Sequence, residues 1–192
     1  MTDHVTSTED PMTSEVKKAG LFMCKVLRHN PDLANVTADA EGWVNIDDMV
    51  RGSWNRLTRS MVYEVAATNN KQRFAISEDG KMIRALQGHS FRVDLKLEPT
   101  EPPDVLYHGT FSNVVQIILR DGLKKMARNH VHMAVDTKTA NSVGLRHGAP
   151  ILFKIDAKLM HEMGHNFYRS ENGVWLADYV PPDYLKRIPN DD

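Results

Sequence analysis

One short run, FRVDLKLEPTEPP at 91–103, constrains the fold more than any other part of the chain. It alternates apolar and polar residues and then sets Pro99, Pro102 and Pro103 close together. Proline fixes its own φ and has no N–H to donate, so such a run neither continues a helix nor sits inside a sheet. It stiffens the chain toward an extended form. The run predicts a linker at 91–103 between two folded units, at 14–90 and 104–192. The first thirteen residues carry three acids and no Lys or Arg, which predicts a disordered tail at 1–13. A chain of 192 residues suffices for two small units whose cores need no disulfide or structural metal.

The first unit opens on a helical pattern. Val16, Ala19, Met23, Val26 and Leu27 recur every three to four residues, and Pro31 ends the run, leaving Arg28 and His29 at the C-terminal end. GWVNI reads as a short strand, followed by a short helix from Asp47. Thr58 is placed to cap a third helix through about Thr68, with Met61, Val62 and Val65 inward. RFAIS and KMIRAL flank Glu78-Asp79-Gly80, and Asp-Gly between apolar strands is a strong hairpin signal. Three helices and a hairpin outline a winged-helix-like unit, which carries eleven Lys and Arg against nine acids.

The second unit alternates short strands and short helices. VLYHGT, RNHVHMAV, ILFKID and GVWLADYV each read as one strand. Ser112 is placed to cap a helix running to Arg120, which Gly122 stops. Strands at this spacing predict an α+β unit on a split or mixed sheet. The glycine fingerprints of a dinucleotide-binding βαβ unit and of a P-loop are absent from the sequence.

Composition narrows the function classes. Lys and Arg number 24 and Asp and Glu 25, a net charge of −1, so the chain is no polycation and any nucleic-acid affinity comes from a local patch. The single cysteine, Cys24, excludes a disulfide scaffold and a cysteine-clustered metal site, and fits a reducing compartment. No apolar run is long enough for a membrane span, and MTDHVTSTED lacks the pattern of a secretory signal. The expectation is a soluble cytoplasmic protein with no membrane partner.

Several segments carry chemistry. In a strand, Arg128, His130 and His132 share one face, which suits an anion. A solvated face and a histidine metal pair are the alternatives, and Arg128 opposes the second. His108-Gly109-Thr110 ends a strand before a helix, where glycine lets backbone approach a ligand and a helix N-terminus favours phosphate. The same tripeptide also serves a tight turn without function. Arg28-His29 by itself reads as a dipole-complementing helix end. Lys71-Gln72-Arg73-Phe74 and Gln87-Gly88-His89-Ser90 bracket the hairpin, and an arginine fork suits phosphate. His161-Glu162-Met163-Gly164-His165 matches the H-E-x-x-H zinc pattern. Gly164 weakens the required helix and no third ligand follows at the usual place, so a short surface helix is the better reading.

Taken in order, these segments resemble the RNA 2′-phosphotransferase family, the KptA/Tpt family. The resemblance covers about residues 20–186 and rests on LRHNP at 27–31, DAEGWVNIDDMV at 39–50, NKQRF at 70–74, IRALQGHS at 83–90, LYHGT at 106–110, ARNHVH at 127–132, VGLRHG at 143–148 and SENGVWL at 170–176. It implies a winged-helix RNA-binding lobe at 14–90 and an NAD-binding lobe at 104–192 resembling ADP-ribosyltransferases. It implies NAD as co-substrate, no metal, and a monomer acting on RNA with an internal 2′-phosphate, of the tRNA splice-junction type. The phosphate attacks the nicotinamide ribose carbon. The 2″-hydroxyl then attacks the phosphate, giving 2′-hydroxyl RNA, ADP-ribose 1″,2″-cyclic phosphate and nicotinamide.

The resemblance also implies site residues. Arg28, His29, Arg73 and Arg128 match the family's catalytic quartet, the first three gripping the RNA phosphate and Arg128 bridging to the ADP-ribose. His108, Gly109, Thr110 and His132 belong to the NAD pocket, with His108 on the adenosine-side ribose and Gly109 on the nicotinamide amide. Val174 stands where many protein-modifying relatives carry a glutamate. Arg146, Ser170 and Asn172 are further pocket candidates, and His89 and Ser90 support the RNA side. Leu86 stands where the family commonly has Asn, and Met133 where it has Leu. The alternative enzyme is an ADP-ribosyltransferase acting on phosphorylated nucleic-acid ends. The non-enzyme alternative is an RNA-phosphate reader.

Overall fold

The computed structural model describes residues 14–68, 71–144 and 150–189. The expected tail at 1–13 and the candidate Arg146 lie outside the described residues. Helix α1, Ser14–Arg28, forms on the predicted spacing, and Val16, Ala19, Met23, Val26 and Leu27 are all buried along one stripe with Phe22. Glu15 in its first turn and Lys25 and Arg28 in its last complement the helix dipole. Pro31 opens a 3₁₀ turn, Pro31–Ala34, which closes at Asn35 in the left-handed region (φ 47°).

Strand β1, Val44–Asn45, leads into α2, Ile46–Gly52, where the Asn45 side chain accepts the Asp48 N–H at 3.1 Å. Helix α3, Arg59–Thr68, is capped by Thr58, whose hydroxyl accepts the Met61 N–H at 3.2 Å. Strands β2, Phe74–Ile76, and β3, Met82–Ala85, pair antiparallel with Phe74 opposite Ala85, and β1 adds to the other edge of β3. Their turn is held by the Asp79 carboxylate, which accepts from the Ser77 hydroxyl and the Lys81 N–H, with Gly80 at φ 70°.

The rest of the chain builds on β4, Val105–Phe111, which pairs along its whole length with β7, Pro150–Asp156. Between them lie α4, Val115–Asp121, then β5, Leu123–Lys124, then β6, Val131–Met133, then α5, Thr137–Gly144. After β7 come α6, Ala157–Glu162, then β8, Tyr168–Arg169, β9, Trp175–Ala177, β10, Tyr179–Val180, and β11, Leu185–Ile188. The sheets are β11-β7-β4, β6-β9-β8 and the pair β10-β5, and every named pairing is antiparallel. Tyr107 and Ala134 exchange N–H···O bonds of 2.8 Å each way and join the first two sheets. The class is α+β, with the sheet split rather than mixed.

Three local expectations are corrected. RNHVHMAV is not one strand: β6 spans only Val131–Met133, and Arg128 sits in a preceding turn closed by its N–H to the Lys125 carbonyl at 3.0 Å. Met126 there is left-handed (φ 53°), which breaks the extended backbone and with it the simple alternation of faces. GVWLADYV is two strands in different sheets, because the exposed Asp178 interrupts a run whose first part, β9, is buried throughout. Ser112 does not cap α4: it opens a 3₁₀ turn, Ser112–Val114, and α4 has no side-chain cap. Gly122 does stop α4, at φ 78°.

Buried apolar side chains form two clusters. One runs from Val16 to Ala85 across α1–α3 and the hairpin; the other runs from Leu106 to Val180. Each fully buried Met23 or Phe153 contributes about 1.5–3 kcal/mol relative to an exposed one. The run at 91–103 lies along both: the Asp94 N–H bonds the Ala40 carbonyl at 2.9 Å, and Pro99 bridges to Tyr168. Among the described residues no helix is long and apolar enough to cross a membrane.

Gly52 ends α2 where its backbone meets the 3₁₀ turn, and an added Cβ would lie 1.7 Å from the Ala34 carbonyl oxygen. Gly52→Ala therefore forces the two segments apart at a cost of about 1–3 kcal/mol. A thermal melt should show a loss of about 2–4 °C for each kcal/mol; an unchanged midpoint would contradict this packing.

Candidate active site

Charged and polar groups from both clusters meet where α1 ends, where the hairpin ends, and where the chain turns into β6. Arg28 is the last residue of α1, and its side chain lies 3.6 Å from the Cβ position of Gly88. Gly88 is left-handed (φ 88°), so the strand exit folds back over α1. The Arg28 carbonyl then accepts the Ser90 N–H at 2.8 Å and the Ser90 hydroxyl at 3.3 Å. With its own proton so placed, the Ser90 oxygen accepts from His29 Nδ1, 3.1 Å away. His29 itself is exposed, and Nε2 is the ring nitrogen not engaged by Ser90.

His89, next in the chain, is 1% exposed and packs edge-on against Phe91. Its Nε2 has no hydrogen-bond partner among the described residues, and Gly42 covers it so closely that a Cβ there would lie 3.3 Å away. The ring thus stands behind Arg28 and His29 rather than on the surface, while Ser90 is exposed.

From the second cluster, His108 on β4 donates Nδ1–H to the His132 carbonyl on β6 at 2.9 Å. A carbonyl only accepts, so this bond fixes the tautomer and leaves Nε2 of neutral His108 as an acceptor. His132 Nε2 is buried without a partner among the described residues. Gly109 lies under α5, and a Cβ there would sit 1.9 Å from the Ala140 carbonyl oxygen. Tyr107 bonds both ways to Ala134, so two residues on, Gly109 directs its N–H and C=O to the same edge of β4. The antiparallel bridge to Ala134 is isolated and does not run on to Gly109, whose named strand partner is Leu152 of β7. Thr110 is buried opposite Ile151.

Arg128 is exposed in the turn before β6, yet its charge reaches His29, His108 and His132. Asn129 beside it donates its backbone N–H to the His89 carbonyl and its side-chain amide to the Phe91 carbonyl, each at 3.1 Å. The loop at 170–174 is tied in the same manner. The Asn172 side chain donates to the Lys71 carbonyl at 3.1 Å and accepts the Ser170 hydroxyl at 2.7 Å. The Ser170 hydroxyl also accepts the Val174 N–H at 3.1 Å. The polar atoms of Ser170 and Asn172 thus build the loop, and Val174 is half-buried at its exit into β9. Gln72, between Lys71 and Arg73, is left-handed (φ 40°), a conformation the surrounding bonds must hold.

The electrostatics have one sign. Burial, then Arg28 and Arg128, lower the pKa of His29. Burial, then Arg28, His29 and Arg84, lower His89 to about 4. Burial, then Arg128, Arg28 and His130, lower His132 to about 3. Burial lowers His108 against its bond to His132, with Arg128 adding to the lowering. Every charge acting on these four rings is cationic. Arg28, Arg128 and His29 therefore enclose a region of positive potential that favours an anion. His130 differs: it leans on the Tyr168 ring and is drawn by Asp178.

The H-E-x-x-H segment does not build a metal centre. Helix α6 ends at Glu162, and Gly164 turns left-handed (φ 91°), so His165 leaves the helix and packs on Tyr184 while His161 packs on Phe167. Among the described residues no group of three His, Cys, Asp or Glu could hold a metal. A cleft of about 450 Å³ opens by the hairpin, but Asp39, Glu78 and Glu171 line it, and it does not suit an anion. The sequence reading missed the role of Asn129; its only signal is its place inside ARNHVH.

The family model for "RNA 2′-phosphotransferase, Tpt1 / KptA family" matches residues 14–179. A protein of Hahella chejuensis named "Probable RNA 2′-phosphotransferase" is 47% identical over 180 residues, covering 92% of this chain and 97% of that protein. One of Rhodopirellula baltica with the same name is 49% identical over 168 residues, covering 85% and 91%. One of Nostoc punctiforme, again so named, is 46% identical over 178 residues, covering 91% and 98%.

His89 is neutral when folded and has an ordinary value near 6.5 when unfolded. The unfolded chain therefore binds more protons between these values, and the stability conferred by the neutral ring is full above pH 6.5 and is lost as pH falls toward 4. Denaturant titrations of wild type should lose stability from pH 6.5 to 5, and His89→Gln should flatten that slope. Equal slopes would contradict the buried neutral ring.

Proposed function

This chain belongs to the RNA 2′-phosphotransferase, Tpt1 / KptA family, and from that premise we propose that it is an NAD-dependent enzyme. It moves an internal RNA 2′-phosphate, of the kind left at a tRNA splice junction, onto NAD. The products are 2′-hydroxyl RNA, ADP-ribose 1″,2″-cyclic phosphate and nicotinamide. The α1–α3 and hairpin unit serves as a winged-helix RNA lobe over 14–90, and 104–192 serves as an ADP-ribosyltransferase-like NAD lobe.

The observation that carries this reading is the one-signed field around Arg28, His29 and Arg128. A phosphate monoester is close to dianionic at pH 7, and fixed cations stabilise it without reorganising as charge develops. Arg28 and His29 hold the RNA phosphate from the RNA lobe, and Arg73 reaches it from the start of β2. Arg128 meets it from the other lobe, so that the two substrates are oriented together. Burial and the two arginines lower the proton affinity of His29; a bound phosphate opposes that lowering and favours the protonated ring, whose Nε2–H then donates to a phosphate oxygen.

The second lobe fits NAD at three points. The Gly109 edge of β4 offers an N–H and a C=O side by side, the complement of a carboxamide. His108 Nε2 offers an acceptor for a ribose hydroxyl. His132 Nε2 is a buried polar atom that lacks a partner among the described residues. When bound, NAD would supply the ADP-ribosyl group that the phosphate attacks, with nicotinamide as leaving group. A phosphate nucleophile is already anionic, so the aliphatic Val174 suffices where relatives that activate neutral groups place a carboxylate.

The test is turnover of a short RNA with one internal 2′-phosphate, with and without NAD. Phosphate loss should require NAD and match nicotinamide release one for one. Arg28→Ala and Arg128→Ala should each lower turnover by about 10²-fold or more. Phosphate loss without NAD would overturn the reading, and accumulation of ADP-ribosylated nucleic acid would replace it with the alternative transferase.

A further inference from the structure

Arg84 on β3 is a charged side chain in an expensive place. Its side chain is only 12% exposed, its guanidinium lies 4.5 Å from the centre of the Trp43 ring, and its Nε has no hydrogen-bond partner among the described residues. Nη2 donates to Glu171 at 2.6 Å, and Nη1 stands 3.8 Å from Glu41. The two carboxylates remain about half exposed, at 57% and 44%.

Desolvating a guanidinium costs more than a half-exposed partner returns, so such a pair is poor at adding stability. What it does well is fix position, because the planar fork accepts a carboxylate from few directions. Here it joins elements far apart in sequence. Glu171 belongs to the loop at 170–174, beside Asn172, which is itself bonded to the Lys71 carbonyl on the same side of the molecule. The loop is therefore clamped to the RNA lobe at two adjacent residues. Its far end delivers Val174 and the buried strand β9, which pairs with β6 at His132.

We propose that Arg84 is a positioning residue for the NAD site: through Glu171 it sets the loop at 170–174, and so the wall presented to NAD, from the opposite lobe. This rests on the NAD reading above. Arg84 need not touch either substrate, and its action is transmitted through Glu171 alone.

Two measurements separate this from a merely structural role. Hydrogen exchange on the ligand-free protein reads the loop directly. Arg84→Gln should speed exchange of the Gly173 and Val174 amides, which close the loop on Ser170, while amides of α1 and β4 keep their rates. Steady-state kinetics read the site: KM for NAD should rise about tenfold, equivalent to about 1.4 kcal/mol, with affinity for 2′-phosphorylated RNA within about twofold. Arg84→Lys, which keeps the charge without the fork, should fall between. Glu171→Gln should match Arg84→Gln, and the double variant should be no worse than either single one.

Unchanged exchange at 173–174 together with unchanged KM would overturn the proposal. So would a loss confined to RNA affinity, or faster exchange throughout the protein. A wild type that consumes no NAD would instead defeat the functional reading, while the ligand-free exchange result would still report on the clamp.

Discussion

Two asparagines, together with the Arg84–Glu171 pair, tie the halves of this molecule to each other. The two hydrophobic clusters each bury their own apolar faces, and by themselves they leave the relative placement of Arg28 and Arg128 undetermined. Asn129 removes that freedom by bonding the His89 and Phe91 carbonyls, and Asn172 does the same at Lys71. All three acceptors are backbone groups within two residues of a site residue or are site residues themselves. An amide N–H to a backbone carbonyl is directional and short, so each bond transfers the position of one backbone onto the other. The arginines are thus placed by amides rather than by their own charges, which would drive them apart.

That repulsion is the other half of the design. Arg28 and Arg128 sit close enough to lower the proton affinity of His29, and three further histidines are kept neutral by burial in the same field. A folded protein tolerates such crowding only if other contacts hold it. The scaffold does so with the Ser90 bonds to Arg28 and His29, the left-handed Gly88, and the covered His89 ring. The positive potential of the region then favours an anion. Neutral His108 presents a fixed tautomer, and His132 a buried Nε2 with no partner among the described residues, to a ligand that need not be anionic.

The sequence disclosed the first half of the molecule well because its signals are local. The periodicity of α1, the Thr58 cap and the Asp-Gly turn each act within a few residues, and each appears where it was expected. Strand limits in the second half were less legible. Nothing in RNHVHMAV announces that Met126 turns left-handed, because that conformation is held by contacts from elsewhere. Nor does GVWLADYV reveal that its two parts join different sheets. The candidate site residues are named only through the ordered motifs of the resemblance, since composition and spacing alone leave LRH as a helix end and HGT as a turn. The clamps at Asn129, Asn172 and Arg84 are not legible there, because a bond between residues far apart in sequence leaves no periodic trace.

The account stands on the claim that cations from both halves form one seat for a phosphate. The direct measurement is the titration of His29 by NMR in histidine-labelled protein, alone and saturated with a 2′-phosphorylated dinucleotide. Alone, His29 should titrate below its ordinary value of about 6.5. With the phosphate bound, the neighbouring arginines are neutralised and the value should rise. A His29 that titrates identically in both states, while the dinucleotide is bound, would contradict a shared phosphate seat.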